Sequence, residues 1–390
     1  MATFDRSGNL VDFTNELPYD LAKPGVETEN GNLEPFYYTD VAPLSIPVNY
    51  NGVQLQLNSS LGMLTVHRHN GTGLATDVTQ IVPPIGNVLW RHHDDVNYLW
   101  LMNVAAATPI ALPPVIGANW MVAGIADVDG DGYKDIIWFE KTTGSLYVWL
   151  MNGTSVLSVV GLGQVSQGAG PNIWLPEAVG DFNGDGIPDI LWRHQTLGAI
   201  YIWYGQPDGS YIVSNPLGAL DPTKIRLAGV GDMDGNGSDD VAWSFDQQVG
   251  GIPAGTVLLW ATGPGFSINA YTAGPNGSKR LQRVGDFDGD GIADMIWVDP
   301  ATGATDVWYL NQGPWNVTGG VVSAMQAMPA MTVGFLPAAS VDFNSDGKKD
   351  VLWFNQTTGA ASQWLMMGRG NAPVQNSLGI IGNTWFVPNQ

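Results

Sequence analysis

A chain of 390 residues can bury a large core and could, by length alone, hold about two or three domains. Its formal charge of −21, with only 15 Lys and Arg residues, excludes nucleic acid and anionic membrane surfaces as electrostatic partners. The chain has no Cys and no apolar run long enough to span a bilayer, so disulfides, thiol chemistry and membrane insertion are excluded.

Residues 1–48 match no later part of the sequence and are rich in Pro, Asn and acidic residues. Such a composition does not form a core of its own. We predict an irregular arm packed along the body, with docking of a partner as the alternative. The first residues lack the basic and apolar regions of a secretory signal, which leaves a removed signal, another export route or an intracellular protein open.

Two degenerate units follow the arm. Residues 53–57 and 62–67 can be aligned with 136–139 and 144–149, although no acidic loop precedes them. Residues 88–117 form a second such unit.

Regular units begin at Trp120. The first unit has a strand (121–125), an acidic loop, a second strand (136–138), a turn, a third strand (146–150), an Asn-Gly turn at 152–153 and a fourth strand (156–160). The first Asp of the loop recurs every 51 to 56 residues. Four short strands at this period predict the blade of a β-propeller, and apolar residues on both strand faces fit sheets that are covered on both sides.

The C-terminal residues 383–388 match the opening of a unit and stop before any acidic loop. We therefore expect an all-β propeller over residues 49–390, closed by the C-terminal strand, which completes the blade of residues 51–82. Seven four-stranded blades result, with six as the alternative if residues 51–82 lie outside the ring.

The acidic loops carry Asp or Asn at positions 1, 3, 5 and 9, and Gly at position 6 permits the sharp turn. With the carbonyl of position 7, these groups supply the oxygens that Ca²⁺ prefers, and we predict about five Ca²⁺ sites. Mg²⁺ and Zn²⁺ fit less well, and an EF-hand is rejected because the last acid stands at position 9. The predicted ligands are Asp127, Asp129, Asp131, Tyr133 and Asp135; Asp181, Asn183, Asp185, Ile187 and Asp189; Asp232, Asp234, Asn236, Ser238 and Asp240; Asp286, Asp288, Asp290, Ile292 and Asp294; and Asp342, Asn344, Asp346, Lys348 and Asp350.

The stretches 180–189 (GDFNGDGIPD) and 285–294 (GDFDGDGIAD) resemble the FG-GAP or VCBS repeats of integrin-α-like β-propellers, particularly bacterial extracellular ones. The resemblance covers residues 120–381 well and 51–117 weakly. It implies structural Ca²⁺ on one rim of the propeller. The family includes adhesion modules and lectins and also decorates enzymes, so the resemblance alone does not fix a function.

Trp is abundant, with 16 residues, most of them in two positions per unit. We interpret most as core between blades, with stacking platforms for sugars as the alternative. Candidate ligand contacts come from the repeated Leu-Trp-Arg-His and from a Trp outside the regular positions, which we expect to be exposed. They are Trp90, Arg91, Trp192, Arg193, His194 and Trp315.

Five His, no Cys and the lack of hydrolase or zinc-protease motifs favour a protein without catalytic activity. We expect a calcium-stabilised binding module for carbohydrate (lectin-like) or for a cell-surface partner in adhesion, outside the cell or at its surface. A structural or assembly protein that docks through residues 1–48 is the alternative, and an enzyme acting on polysaccharide is the third.

Overall fold

A computed structural model describes residues 86–388 except 103–106, 168–172, 266, 314 and 316–320, and it places six strands within the first 85 residues. The chain divides into two compact units. One comprises residues 1–85 with 345–347, and the other comprises residues 86–344 with 348–390. In the described part of the chain, no helix has the length and apolarity needed to cross a membrane.

The smaller unit contains two antiparallel sheets, one of two strands and one of four. The strands are β1 (Ala2–Phe4) and β2 (Leu10–Phe13) in the first, and β3 (Val48–Tyr50), β4 (Val53–Asn58), β5 (Met63–His69) and β6 (Leu74–Asp77) in the second. The remainder of the predicted arm lies outside the described residues, and its docking role stays a prediction.

The larger unit is a propeller of six four-stranded antiparallel sheets, which we number as blades 1–6. Blade 1 contains β30 (Trp385–Phe386), β7 (Asn87–His92), β8 (Asn97–Met102) and β9 (Ala107–Leu112); blade 2 contains β10 (Trp120–Ala126), β11 (Asp135–Glu140), β12 (Ser145–Asn152) and β13 (Ser155–Gln164); blade 3 contains β14 (Trp174–Gly180), β15 (Asp189–His194), β16 (Ile200–Gly205) and β17 (Tyr211–Val213).

The second half of the ring repeats the same order of strands. Blade 4 contains β18 (Ile225–Gly231), β19 (Asp240–Phe245), β20 (Val257–Gly263) and β21 (Ser267–Ala273); blade 5 contains β22 (Arg280–Gly285), β23 (Asp294–Val298), β24 (Thr305–Leu310) and β25 (Val322–Met328); blade 6 contains β26 (Leu336–Val341), β27 (Asp350–Asn355), β28 (Ala360–Leu365) and β29 (Val374–Ile380).

The prediction of seven blades is wrong, and the alternative of six is confirmed. The C-terminal strand β30 pairs with β7, with Trp385 opposite His92 and Phe386 opposite Arg91, so it completes blade 1. The sheet of residues 48–77 has its own first strand, β3, which pairs with β4. It therefore needs no strand from the C-terminus. The four-stranded blades and closure by the last strand are confirmed.

The core lies between neighbouring blades. In each blade the second strand is buried almost throughout, whereas fourth strands such as β13 are mostly exposed. Each second strand carries a Trp that contacts a Trp of the third strand, with ring centroids 4.6–5.5 Å apart. Burying such large aromatic surfaces stabilises a fold that has no disulfide. The interpretation of these Trp residues as core is therefore correct.

Candidate functional site

The acidic loops connect the first and second strands of blades 2–6. We number them loops 1–5 in chain order, from residues 127–135 to residues 342–350. Position 1 organises each loop locally: in loop 1, the two carboxylate oxygens of Asp127 accept hydrogen bonds from Gly130 N (2.7 Å) and Gly132 N (3.0 Å). Asp181, Asp232 and Asp286 make the same pair of bonds in loops 2–4. Both glycines of loop 1 have positive φ, a conformation that disfavours other residues.

Positions 3 and 5 each use one side-chain oxygen for the loop backbone. In loop 1, Asp129 Oδ1 accepts from Asp131 N (3.2 Å), and Asp131 Oδ1 accepts from Tyr133 N (2.8 Å). Loops 2–4 repeat this arrangement with Asp or Asn. The loop is therefore prefolded by its own polar side chains.

Position 9 has a role that the sequence did not reveal. Asp240 is fully buried, and its two oxygens accept from Met233 N (2.9 Å) and Thr262 N (2.7 Å), which joins the start of the loop to the end of the third strand. Asp135, Asp189, Asp294 and Asp350 make the corresponding two bonds. The position 9 carboxylate therefore links the acidic loop to the third strand of its blade, in addition to its predicted role as a ligand. We call it the bracket carboxyl.

Burial raises the pKa of four of these bracket carboxyls because it disfavours the charged form. Their backbone hydrogen bonds oppose the shift, and the neighbouring loop carboxylates add to it. The pKa reaches about 6 for Asp135, about 7 for Asp189, and about 8 for Asp240 and Asp294. A cation among the carboxylates would reverse this effect by favouring their ionised forms.

The carboxylates converge as a metal site requires. Three acids of loop 1 (Asp127, Asp129, Asp135), three of loop 3 (Asp232, Asp234, Asp240) and three of loop 4 (Asp286, Asp288, Asp290) each place one oxygen within 4.8 Å of the others. An all-oxygen donor set of this kind fits Ca²⁺. In loop 2, Asn183 Nδ2 donates to Asp185 Oδ2 (3.0 Å), so the side chains at positions 3 and 5 bond to each other.

A chain of hydrogen bonds joins the loops of successive blades. The carbonyl of position 1 accepts from the N–H of position 8 in the next loop: Asp239 N to Asp181 O (2.7 Å), Ala293 N to Asp232 O (2.6 Å) and Lys349 N to Asp286 O (2.6 Å). After the last loop, Gly86 N of blade 1 donates to Asp342 O in the same way (3.0 Å). Position 8 of loop 2 is Pro188, which has no N–H to donate. The geometry of a loop is therefore coupled to the packing of its neighbour.

The structure places the Arg residues predicted as ligand contacts between blades. Arg91 and Arg193 are each 4 % exposed. Arg193 Nη1 donates to Ile225 O of the next blade (2.6 Å), and its guanidinium lies 5.1 Å from the ring centroid of Trp243. Arg91 lies in the same way over Trp138. These side chains join neighbouring blades.

The predicted Trp contacts are also buried. Trp90 and Trp192 are each 1 % exposed. The expectation that Trp315 is exposed is wrong: it is 4 % exposed, packs edge-on against Tyr271 and donates from Nε1 to Asn311 O (2.8 Å). Of the predicted ligand contacts, His194 alone is partly exposed, and it contacts Trp174.

Partly exposed aromatic pairs occupy one rim of blades 1–3. Each pair joins a Trp of the first strand to a Tyr of the third strand. The pairs are Trp385–Tyr98 (5.3 Å between ring centroids), Trp120–Tyr147 (5.7 Å) and Trp174–Tyr201 (5.5 Å). In blades 2 and 3 they lie at the strand ends away from the acidic loops, because the first strand runs from this Trp into its loop. The pair of blade 1 occupies the corresponding positions of its sheet. We call these residues the aromatic rim.

A polar side chain lies opposite each rim Trp in the sheet. His92 faces Trp385, Glu140 faces Trp120, and His194 faces Trp174. In blades 4–6 the same pair of positions holds Ile225 and Phe245, Arg280 and Val298, and Leu336 and Phe354, and the Tyr position holds Leu258, Asp306 and Ser362. Blades 1–3 thus combine a Trp–Tyr pair with a Glu or His, and blades 4–6 have no Trp–Tyr pair at these positions.

An open cleft of about 450 Å³ adjoins the rim pair of blade 2. Trp120 and Tyr147 form its aromatic wall, and Tyr147 is 39 % exposed. Glu140 contributes a carboxylate whose Oε2 accepts from Thr143 N (2.6 Å) and Thr143 Oγ1 (2.7 Å). Asn119, Thr142 and Ser145 complete the lining. This mixed lining of aromatic and hydrogen-bonding groups suits a small polar ring.

The aromatic rim had a detectable sequence signal. Tyr-x-Trp occurs in the third strands of blades 1–3, at Tyr98, Tyr147 and Tyr201, whereas the corresponding triplets of the other three blades begin with Leu, Asp or Ser. The sequence alone does not show that this Tyr contacts the first Trp of the blade. That contact depends on the register between three strands.

Comparison with known protein families finds one match. The FG-GAP-like repeat family matches residues 127–192, 181–243 and 286–353, which contain all five acidic loops. A search of curated protein sequences finds no match.

Solved structures of similar fold include an Agrocybe aegerita lectin, described as specifically recognising non-reducing terminal N-acetylglucosamine. It is 14 % identical, with a TM-score of 0.49 over 86 % of this chain and 97 % of the lectin chain. A chain of a nidogen/laminin complex is 14 % identical, with a TM-score of 0.44 over 72 % and 89 %. A Lactobacillus plantarum protein is 10 % identical, with a TM-score of 0.46 over 75 % and 82 %. At these values the likenesses carry no conclusion about a ligand.

Proposed function

Because the chain is an FG-GAP-repeat β-propeller, we propose that it is a non-enzymatic, calcium-stabilised module that binds carbohydrate through the aromatic rim of blades 1–3. The observation that carries the proposal is the threefold occurrence of a Trp–Tyr pair beside a Glu or His on consecutive blades. Aromatic faces pack on the C–H faces of sugar rings, while carboxylate and imidazole groups bond to hydroxyls.

Repetition supports this proposal over a purely structural role. Packing within a blade needs no Trp at the rim position, since Ile225 and Leu336 occupy it in blades 4 and 6. Several weak sites on one rigid face gain avidity for a ligand that itself repeats, as glycans on a cell surface do. An extracellular or cell-surface location and a role in adhesion follow from this ligand class and belong to the same proposal.

Calcium has a separate role in this proposal. The acidic loops lie at the opposite strand ends from the aromatic rim, so Ca²⁺ there stabilises the blades without touching the sugar. The convergent carboxylates of loops 1 and 3 and the hydrogen bonds between successive loops support this assignment. Ca²⁺ binding to the folded state alone raises its stability.

A glycan array provides the first test, with wild type compared with Trp120→Ala and Trp174→Ala. The control is Leu336→Ala, which removes a 44 % exposed side chain from the same rim position of blade 6. We expect wild type and the control to retain the same glycans. Each Trp variant should lose at least about tenfold in apparent affinity, roughly 1.4 kcal/mol. No retained glycan at high protein density, or equal binding by all four proteins, would overturn the proposal.

A further inference from the structure

A basic side chain from the next blade enters loop 4. Arg369 lies in the turn between the third and fourth strands of blade 6, and loop 4 belongs to blade 5. Its Nη2 lies 2.6 Å from Asp290 Oδ2, and its Nε donates to Asp288 Oδ2. The guanidinium therefore binds positions 3 and 5 of the loop at once.

The oxygens that Arg369 occupies are those left over by the loop backbone. Asp288 Oδ1 accepts from Asp290 N (3.3 Å), and Asp290 Oδ1 accepts from Ile292 N (2.9 Å), as in the other loops. The remaining oxygen of each carboxylate would be the one to face a cation. In loop 4 that oxygen faces a guanidinium, whose planar donors match two carboxylates well.

Arg369 is held in this position from several sides. Its guanidinium lies 5.0 Å from the ring centroid of Tyr309, and its Nη1 donates to Ser323 Oγ (3.2 Å). The turn itself is fixed to blade 5, because Gly370 N donates to Gln326 Oε1 (2.7 Å) and Gln326 Nε2 donates to Asn371 O (2.8 Å). The side chain is therefore preorganised over loop 4.

The sequence supports a special role for this turn. The stretches of sequence between the third and fourth strands of the other blades are residues 103–106, 153–154, 206–210, 264–266 and 311–321, and they contain no Lys or Arg. The turn of blade 6, at residues 366–373, contains Arg369.

We infer that Arg369 supplies the cation of loop 4, so that this loop closes by an ion pair between blades and takes no Ca²⁺. The inference rests on the proposed calcium loading of the other loops. Ca²⁺ needs six to eight oxygens, and the guanidinium removes one oxygen each from positions 3 and 5. The blade 5–blade 6 junction would then be fixed without metal.

The direct test counts bound calcium per chain by native mass spectrometry. We expect Arg369→Gln to bind one more Ca²⁺ than wild type, because loop 4 becomes free to take it. Lys224→Gln, which removes an exposed ion pair with Asp221, should bind the same number as wild type. Equal counts in all three proteins would overturn the inference.

A second pair of variants gives an answer that does not depend on Arg369→Gln folding. Asp290→Ala in loop 4 should leave the calcium count of wild type unchanged, whereas Asp131→Ala, at the same position of loop 1, should lower it by one. A loss of one ion in Asp290→Ala would mean that loop 4 holds calcium and would contradict the inference.

Thermal unfolding in EDTA separates this inference from the proposed function. If wild type binds no calcium, the proposed calcium stabilisation fails. The ion pair is then judged by melting alone: Arg369→Gln should melt at a lower temperature than Lys224→Gln. If the two variants melt together in EDTA, the role of Arg369 is refuted.

Discussion

Arg193 contacts three elements with one buried side chain. Its Nε lies 2.6 Å from Glu177 Oε1, its Nη1 donates to Ile225 O, and its guanidinium packs on Trp243. Its carboxylate partner is also largely buried, with 15 % of the side chain exposed. Removing one member of a buried pair leaves the other charge without compensation.

Arg193→Ala should therefore lower the free energy of unfolding by about 3–5 kcal/mol. Lys224→Ala, which breaks an exposed pair, should cost less than about 1 kcal/mol. Urea unfolding followed by Trp fluorescence measures both. If Arg193→Ala is as stable as wild type but loses glycan binding, Arg193 is a ligand contact, as the sequence suggested, and its role between blades is not supported.

Within an acidic loop, the aspartates at positions 9 and 3 have different roles. Asp240 uses both carboxylate oxygens to accept backbone N–H groups, whereas Asp234 accepts from Asn236 N through Oδ1. An Asn at position 9 would turn an N–H donor toward another N–H. An Asn at position 3 can keep its backbone bond and loses only the charge that faces the cation.

We expect Asp240→Asn to lose about 1–3 kcal/mol of stability in EDTA, the cost of a buried hydrogen-bonding group left without its partner. Asp234→Asn should match wild type in EDTA and should gain less stability than wild type when Ca²⁺ is added. Melting curves of the three proteins with and without Ca²⁺ test this division. The assignment of the bracket role fails if Asp240→Asn differs from wild type only in the presence of calcium.

The raised pKa values of the bracket carboxyls predict a pH dependence with a definite sign. The folded protein keeps a proton on Asp240 up to a pKa of about 8, whereas the unfolded chain releases it near 3.8. The metal-free fold therefore loses stability as the pH rises between these two values. Added Ca²⁺ requires the ionised carboxylates, so its stabilising effect should grow over the same range.

Melting temperatures in EDTA should accordingly be higher at pH 5 than at pH 8. Asp240→Asn should flatten part of this slope, and Asp94→Asn, at a carboxyl whose side chain is 85 % exposed, should not. Equal slopes in wild type and Asp240→Asn would show that burial of this carboxyl does not govern the pH response.

At the scale of the whole molecule, the C-terminal segment closes the ring of blades by contacting both blade 1 and blade 6. The pairing of β30 with β7 completes blade 1, and Gln356 Nε2 donates to Asn383 O (2.6 Å), which ties the C-terminal segment to blade 6. Removing residues 383–390 should lower the melting temperature by at least about 5 °C, since about 1 kcal/mol shifts a large domain by roughly 2–4 °C. Removing only residues 389–390 should have no effect. Similar melting of the two truncated proteins would contradict closure by β30.

The sequence predicted those features of the fold that recur with the repeat period of 51 to 56 residues. Four strands per blade, the ends of the acidic loops and the buried Trp pairs follow from local patterns that recur in register. The number of blades did not follow, because it depended on whether β3 or the C-terminal strand completes the sheet of residues 48–77. Side chains that act across blades also escaped prediction. Arg193 bonds to a carbonyl 32 residues away and Arg369 to a carboxylate 81 residues away, and no local pattern encodes either contact.

The number of sugar sites per chain tests most directly whether the aromatic rim binds carbohydrate. Calorimetric titration of wild type with the best-retained saccharide of the array should give three equivalent sites, one for each Trp–Tyr pair of blades 1–3. Trp174→Ala should give two, and Leu336→Ala should give three. A count that Trp174→Ala leaves unchanged would contradict the assignment of the aromatic rim as the binding surface.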